Sequence, residues 1–128
     1  METFNFQKLR VYQVSRKMVG NIYVLLKKYP NDERYAICDQ MRRAAVSVPS
    51  NIAEGMSRTS MKEQVHYLEI SYGSLMELFC QLEISKDVNY ITEEDFKSIE
   101  EEILIIAKLL SGLRFSIKSK LSPPNSKQ

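Results

Sequence analysis

Two long, regularly spaced runs of apolar residues constrain the fold more than any other feature of this sequence. In residues 61–86 the apolar side chains alternate at spacings of three and four: Val65, Leu68, Tyr72, Leu75, Phe79 and Leu82. Residues from 92 onwards repeat the alternation with Phe96, Ile99, Ile103, Ile106, Leu110, Leu113 and Ile117. This average period of 3.5 residues places each set on one seam of an α-helix, and such seams pack at about 20° to one another. The pattern predicts two long helices in a bundle.

Two further segments have helical apolar faces. Residues 7–29 carry a wide apolar face, and Pro30 ends the segment because the residue before proline avoids the α conformation. Residues 32–57 form the next segment, and either Asn31 or Asp32 is expected to cap its start. Pro49 lies inside this segment, which predicts either one kinked helix or two shorter helices.

The connections between the four segments are short, so consecutive helices are expected to be antiparallel neighbours. The sequence therefore predicts an all-α domain over residues 1–118, folded as an antiparallel up-down-up-down four-helix bundle. The polar tail, residues 119–128, contains two prolines and is expected to be disordered. Low glycine and proline contents, four of each in 128 residues, agree with long helices.

The second segment has an unusual distribution of polar and small residues. A polar stripe runs along one side, with a further candidate member on the third segment: Arg43, Ser47, Asn51, Glu54 and Glu77. The stripe is expected to be a structural network that sets helix register, the alternative being contact with a ligand or partner. On the other side of the segment, small and apolar residues continue the apolar surface around the helix: Ala45, Val46 and Ala53. These three predict an oligomer interface, the alternative being scattered surface residues.

No pattern of catalytic or metal-binding residues is present in the sequence. Cys38 and Cys80 have no metal-ligand spacing and are expected to be buried, reduced thiols. Glu63 and His66 have the Glu-x-x-His spacing of di-iron bundles, but the chain's single histidine cannot complete such a site. We therefore expect no enzyme activity, cofactor, metal ion or small-molecule substrate.

Three stretches carry a family resemblance: LRVYQVSRKM, ERYAICDQMRRAAVSVPSNIAEG and YGSLMELFCQL. Together they resemble the four-helix bundle proteins encoded in 23S rRNA intervening sequences, over residues 6 to about 113. The resemblance implies a four-helix bundle that assembles into homopentameric rings. A related branch includes the accessory protein of diversity-generating retroelements, which binds a reverse transcriptase and nucleic acid. The resemblance supplies no catalytic residues.

The alternating topology is expected to gather cations at one end of the bundle. We call this end the basic pole; its predicted members are Lys8, Arg10, Arg58, Lys62, Arg114, Lys118 and Lys120. Such a surface favours contacts with a nucleic-acid backbone, although the same charges could simply solvate helix ends. The opposite end is expected to be acidic, with Asp87 and residues 93–95 and 100–102.

These observations predict a homo-oligomeric bundle that binds RNA, or a protein that handles RNA, through the basic pole. The alternative is a structural scaffold or protein-interaction module that binds no nucleic acid. The N-terminal sequence has no apolar signal-peptide core, and the longest strongly apolar stretch, residues 103–107, is far too short to cross a membrane. The protein is therefore expected to be cytoplasmic.

Overall fold

The computed structural model describes residues 3–121, and these residues form four long α-helices. The helices are α1 (Arg10–Leu26), α2 (Ile37–Met56), α3 (Met61–Asp87) and α4 (Glu93–Leu121). Short 3₁₀ helices at Asn5–Lys8 and Asn31–Glu33 precede α1 and α2. The predicted all-α class is confirmed, and α3 and α4 coincide with the two regularly spaced apolar segments.

The four helices form a closed antiparallel bundle. Each helix packs against the next along the chain, and α4 returns to pack against α1. Asn21 of α1 hydrogen-bonds Glu102 of α4, while Lys28, two residues after the end of α1, pairs with Asp95, which comes earlier in α4. Residues later in the α1 segment therefore contact residues earlier in α4, so the two helices are antiparallel. The up-down-up-down arrangement is confirmed.

The predicted seams form the centre of the bundle. On α4, six of the seven predicted seam residues are buried, and Leu113 is half-buried against the core. On α3, Tyr72 and Phe79 lie at the edge of the core, while the other four seam residues are buried. Burying a leucine or isoleucine contributes about 1.5–3 kcal/mol, so these seams account for much of the driving force for folding. Within residues 3–121, no helix is both long and apolar enough to cross a bilayer.

The start of α2 differs from the prediction. Residues 31–33 form a separate 3₁₀ helix, and α2 begins only at Ile37, after Ala36, which provides no side-chain cap. Neither Asn31 nor Asp32 caps α2, so that expectation is wrong. The Tyr90 hydroxyl donates a hydrogen bond to the Glu33 carboxylate and holds the 31–33 turn against the connection between α3 and α4.

Pro49 does not divide α2. The helix is continuous from Ile37 to Met56, so the alternative of two shorter helices is wrong. Pro49 is buried, and the adjacent Val48 carbonyl oxygen accepts a hydrogen bond of 2.8 Å from Ser71 Oγ on α3. Tertiary packing and this cross-helix bond offset the backbone hydrogen bond that proline cannot make.

Two peripheral features also differ from expectation. Cys38 is buried, as predicted, but Cys80 lies on the exposed side of α3, so the prediction of two buried thiols is wrong for Cys80. At the other end of the chain, α4 continues through Leu121, which makes residues 119–121 helical. The remainder of the predicted tail, residues 122–128, lies outside the described residues.

Candidate nucleic-acid interface

The bundle topology brings all the predicted cations of the basic pole to one end. They come from the start of α1 and the 3₁₀ helix before it, the α2–α3 connection with the start of α3, and the last turns of α4. Four of them are exposed and have no ion pair or hydrogen bond to any side chain within residues 3–121: Lys8, Arg10, Lys62 and Lys120. These four side chains are free to contact a phosphate backbone.

Arg58 is held within the contact between α2 and α3. Its Nη2 atom donates to Glu54 Oε2 at 2.9 Å and to the Tyr67 hydroxyl at 2.8 Å. Its guanidinium carbon lies 5.0 Å from the centre of the Tyr67 ring, within the range of a cation–π interaction. Arg58 therefore helps to join the two helices, and binding a phosphate would require it to give up these partners.

Arg114 and Lys118 share a carboxylate on α3. Arg114 Nη1 and Lys118 Nζ lie 3.5 Å and 4.0 Å from Glu69 Oε2. All three side chains are more than one-third exposed, and ion pairs of this kind contribute about 1 kcal/mol or less. A phosphate group could replace Glu69 at little cost, so both cations stay within the candidate interface.

The polar stripe does not form one network. Asn51 Nδ2 donates to the Ser47 carbonyl oxygen and lies 2.8 Å from Ser47 Oγ, which in turn lies 2.8 Å from Ser74 Oγ on α3. This three-residue cluster joins α2 to α3, and it includes Ser74, which the sequence analysis missed. The other stripe residues bond elsewhere: Arg43 to Asp39, Glu54 to Arg58 and Glu77 to Gln81.

The three residues of the candidate oligomer interface have different environments. Ala45 is 0% exposed within the single chain, so it lies in the core and offers no surface to another subunit. Val46 is 39% exposed and lines a shallow groove with Tyr23 of α1, and Ala53 is half-buried. The prediction of an interface on α2 therefore depends on Val46 and Ala53.

Charge is also separated between the two halves of the bundle, which the sequence analysis did not recognise. Residues 3–58 contain ten Lys or Arg and four Asp or Glu, a formal charge of +6, whereas residues 61–121 contain seven and eleven, a charge of −4. Residues 3–31 contain six cations and no acid. Counting charges by helix, rather than by bundle end, would have revealed this cationic half.

Comparison with known proteins identifies the family. The family model described as 23S rRNA-intervening sequence protein matches residues 7–112, which is most of the chain. The chain belongs to the 23S rRNA-intervening sequence protein family. The resemblance noted from the sequence is thereby confirmed. No curated protein sequence matches the chain.

Among solved structures, the chain is similar to a protein of unknown function from the S23 ribosomal protein family of Bacteroides thetaiotaomicron. The two share 27% sequence identity and superimpose with a TM-score of 0.76. The match covers 81% of this chain and 94% of the other. The similarity supports the bundle fold.

The acidic and histidine side chains of this family member do not assemble a metal centre within the described residues. Across residues 3–121, no group of three or more His, Cys, Asp or Glu side chains is placed to hold a metal ion. Glu63 and His66 are both exposed at the start of α3.

Proposed function

We propose that this protein is a non-enzymatic homo-oligomer that binds RNA through the basic pole. The observation that carries the proposal is a set of four exposed cations at that end with no ion pair within residues 3–121: Lys8, Arg10, Lys62 and Lys120. Exposed Lys and Arg side chains neutralise phosphates and release counterions, which drives binding that does not depend on base sequence.

Homo-oligomerisation is supported by the outward side of α3. Large apolar side chains along this helix, among them Ile70, Met76 and Ile84, are 37–45% exposed, and Val88, directly after the helix, is 50% exposed. A helix with apolar residues on more than its core-facing side is typical of a helix with a second packing partner. In a ring, each additional subunit would add another basic pole and increase avidity for one RNA strand.

RNA binding is expected to depend on the unpaired pole cations. Replacing Lys8 and Lys62 with glutamate should weaken binding of a fluorescein-labelled single-stranded RNA by about tenfold or more, because it removes two phosphate contacts and adds repulsion. Fluorescence anisotropy at low and moderate salt measures the effect. Lys97→Glu with Lys108→Glu is the matched control, since it makes the same change in net charge on α4.

The control is expected to bind within about threefold of the unmodified protein, since its lysines lie outside the pole. Equal weakening of both double variants would show that only net charge matters. Absence of low-salt binding by the unmodified protein would contradict RNA binding and leave the scaffold alternative.

The oligomeric state is expected to exceed a monomer. Light scattering at micromolar concentration should give a mass that is a multiple of the 14.9 kDa chain, and five subunits would match the ring that the family resemblance implies. Val46→Glu should reduce that mass, because it places a charge in a packed interface, whereas Val24→Glu on α1 serves as the exposed control. A monomeric mass for the unmodified protein would contradict the oligomer.

A further inference from the structure

A second cationic feature lies at the opposite end of the bundle from the basic pole. The end of α1, the 31–33 turn and the start of α2 enclose a cleft of about 200 Å³, which we call the α1–α2 cleft. Lys27, Arg34 and Arg42 line it, and none of its lining residues is acidic. Because a water molecule occupies about 30 Å³ of liquid, the cleft has room for a small polyatomic group.

Two of the three cationic side chains of the cleft, Arg34 and Arg42, have aromatic or backbone contacts, and none of the three has an ion pair within residues 3–121. Arg42 Nη2 donates to the Arg34 carbonyl oxygen at 3.0 Å, and this bond ties α2 to the turn. The Arg34 guanidinium lies 5.9 Å from the ring centre of Tyr35, which is 85% exposed. Lys27 is exposed and has no ion pair within residues 3–121.

Acidic residues close in sequence to the cleft residues are Asp32, Glu33 and Asp39, and none of them lines the cleft. The Glu33 carboxylate accepts a hydrogen bond from Tyr90, and Asp39, in the adjoining groove, is paired with Arg43 at 3.3 Å. Burial raises the pKa of the Cys38 thiol, and it raises the pKa of Tyr29 to about 12. Both cleft groups are therefore neutral at neutral pH.

We propose that the α1–α2 cleft binds a phosphate group, and specifically a backbone phosphate of the RNA that the basic pole contacts. Arginine recognises phosphate through several fixed N–H donors, and lysine adds a mobile point charge. Tyr23 in the cleft wall and the exposed Tyr35 provide aromatic faces on which an adjacent base can stack. The RNA assignment rests on the proposed function, whereas phosphate recognition rests on the cleft itself.

The acid-free α1 connects the two contacts. With 17 residues, this helix is about 25 Å long, so the pole and the cleft are separated by roughly that distance. Arg16 lies between them on α1 and adds a further exposed cation. A strand long enough to reach both sites gains affinity from the second contact, because that contact forms intramolecularly.

The test neutralises the cleft without touching the pole. Lys27→Gln with Arg34→Gln is compared with Lys97→Gln and Lys108→Gln, using a labelled oligouridylate long enough to span α1. The cleft variant should bind the oligouridylate about tenfold more weakly. In a plot of log affinity against log salt concentration, its slope should be smaller in magnitude by about 1.4, the change expected when two contacts with a single strand are lost. Circular dichroism checks that both variants retain the helical fold. Equal affinities for the cleft and control variants would overturn the proposal.

A second probe separates this inference from the proposed function. Inorganic pyrophosphate is titrated into ¹⁵N-labelled protein, and the amide signals of Lys27, Arg34 and Arg42 are expected to shift. If the unmodified protein binds no RNA but these signals shift, the proposed function fails, and the cleft binds a free phosphate compound. If it binds no RNA and these signals do not move, both proposals fail. If the unmodified protein binds RNA, the comparison of the cleft variant with the control variant decides whether the cleft contributes to that binding.

Discussion

Leu75→Ala is expected to lower the free energy of unfolding by about 2–5 kcal/mol. Leu75 lies in the middle of α3 and is 0% exposed, so the substitution removes buried methyl groups and leaves a cavity. Neighbouring core side chains close such cavities only partly, because interiors are packed as densely as organic crystals. Urea unfolding followed by circular dichroism measures the change, at one fixed protein concentration because assembly contributes to apparent stability.

Leu104→Ala is the matched control for this experiment. Leu104 is on α4 and is 55% exposed, so its truncation should change the free energy of unfolding by about 0.5 kcal/mol or less. Similar losses for the two variants would contradict the assignment of α3 to the centre of the bundle.

Gly55→Ala is expected to destabilise the bundle by about 1–2 kcal/mol, although alanine is the better helix former by about 1 kcal/mol. A Cβ atom at position 55 would lie 2.7 Å from Tyr67 Cβ and 3.4 Å from the Gln64 carbonyl oxygen. Neither atom can rotate away, so α2 and α3 must move apart. That movement would also disturb the hydrogen bond between Arg58 and Tyr67. Thermal and urea unfolding report the loss.

Two other glycines give the opposite expectation and serve as controls. A Cβ atom at Gly20 or Gly73 would meet no neighbouring atom within 4 Å. Alanine at either helical position should therefore leave stability unchanged or raise it by up to about 1 kcal/mol. If Gly55→Ala were as stable as these variants, the close approach of α2 and α3 at Tyr67 would be wrong.

The bundle could be predicted because burial is recorded directly in the spacing of apolar residues. The alternation on α3 and α4 indicates which side of each helix is buried, and short connections restrict the order of the helices. The start of α2 could not be predicted in this way. Asn31 and Asp32 suit a helix cap, but the bond between Glu33 and Tyr90 joins residues 57 positions apart and fixes a different turn.

The candidate site was predicted only in part, because the sequence does not show which partner each charged side chain contacts across the bundle. Topology alone indicates that Lys8, Lys62 and Lys120 share one end, but it does not reveal that Arg58 bonds Tyr67 or that Glu69 faces α4. Alanine occurs both at surfaces and in cores, so residue type does not predict whether Ala45 is buried. Its burial depends on how the neighbouring helices pack around α2. The α1–α2 cleft depends on the 31–33 turn and could not be anticipated for the same reason.

Lysine footprinting tests the central claim most directly, because it reports each cation separately in the unmodified protein. The protein is acetylated briefly with and without single-stranded RNA, and the modification at each lysine is measured by mass spectrometry. Protection by RNA is predicted at Lys8, Lys62 and Lys120 of the basic pole and at Lys27 of the cleft, with Lys97 and Lys108 on α4 unchanged. Protection confined to Lys97 and Lys108, or equal at every exposed lysine, would contradict the account.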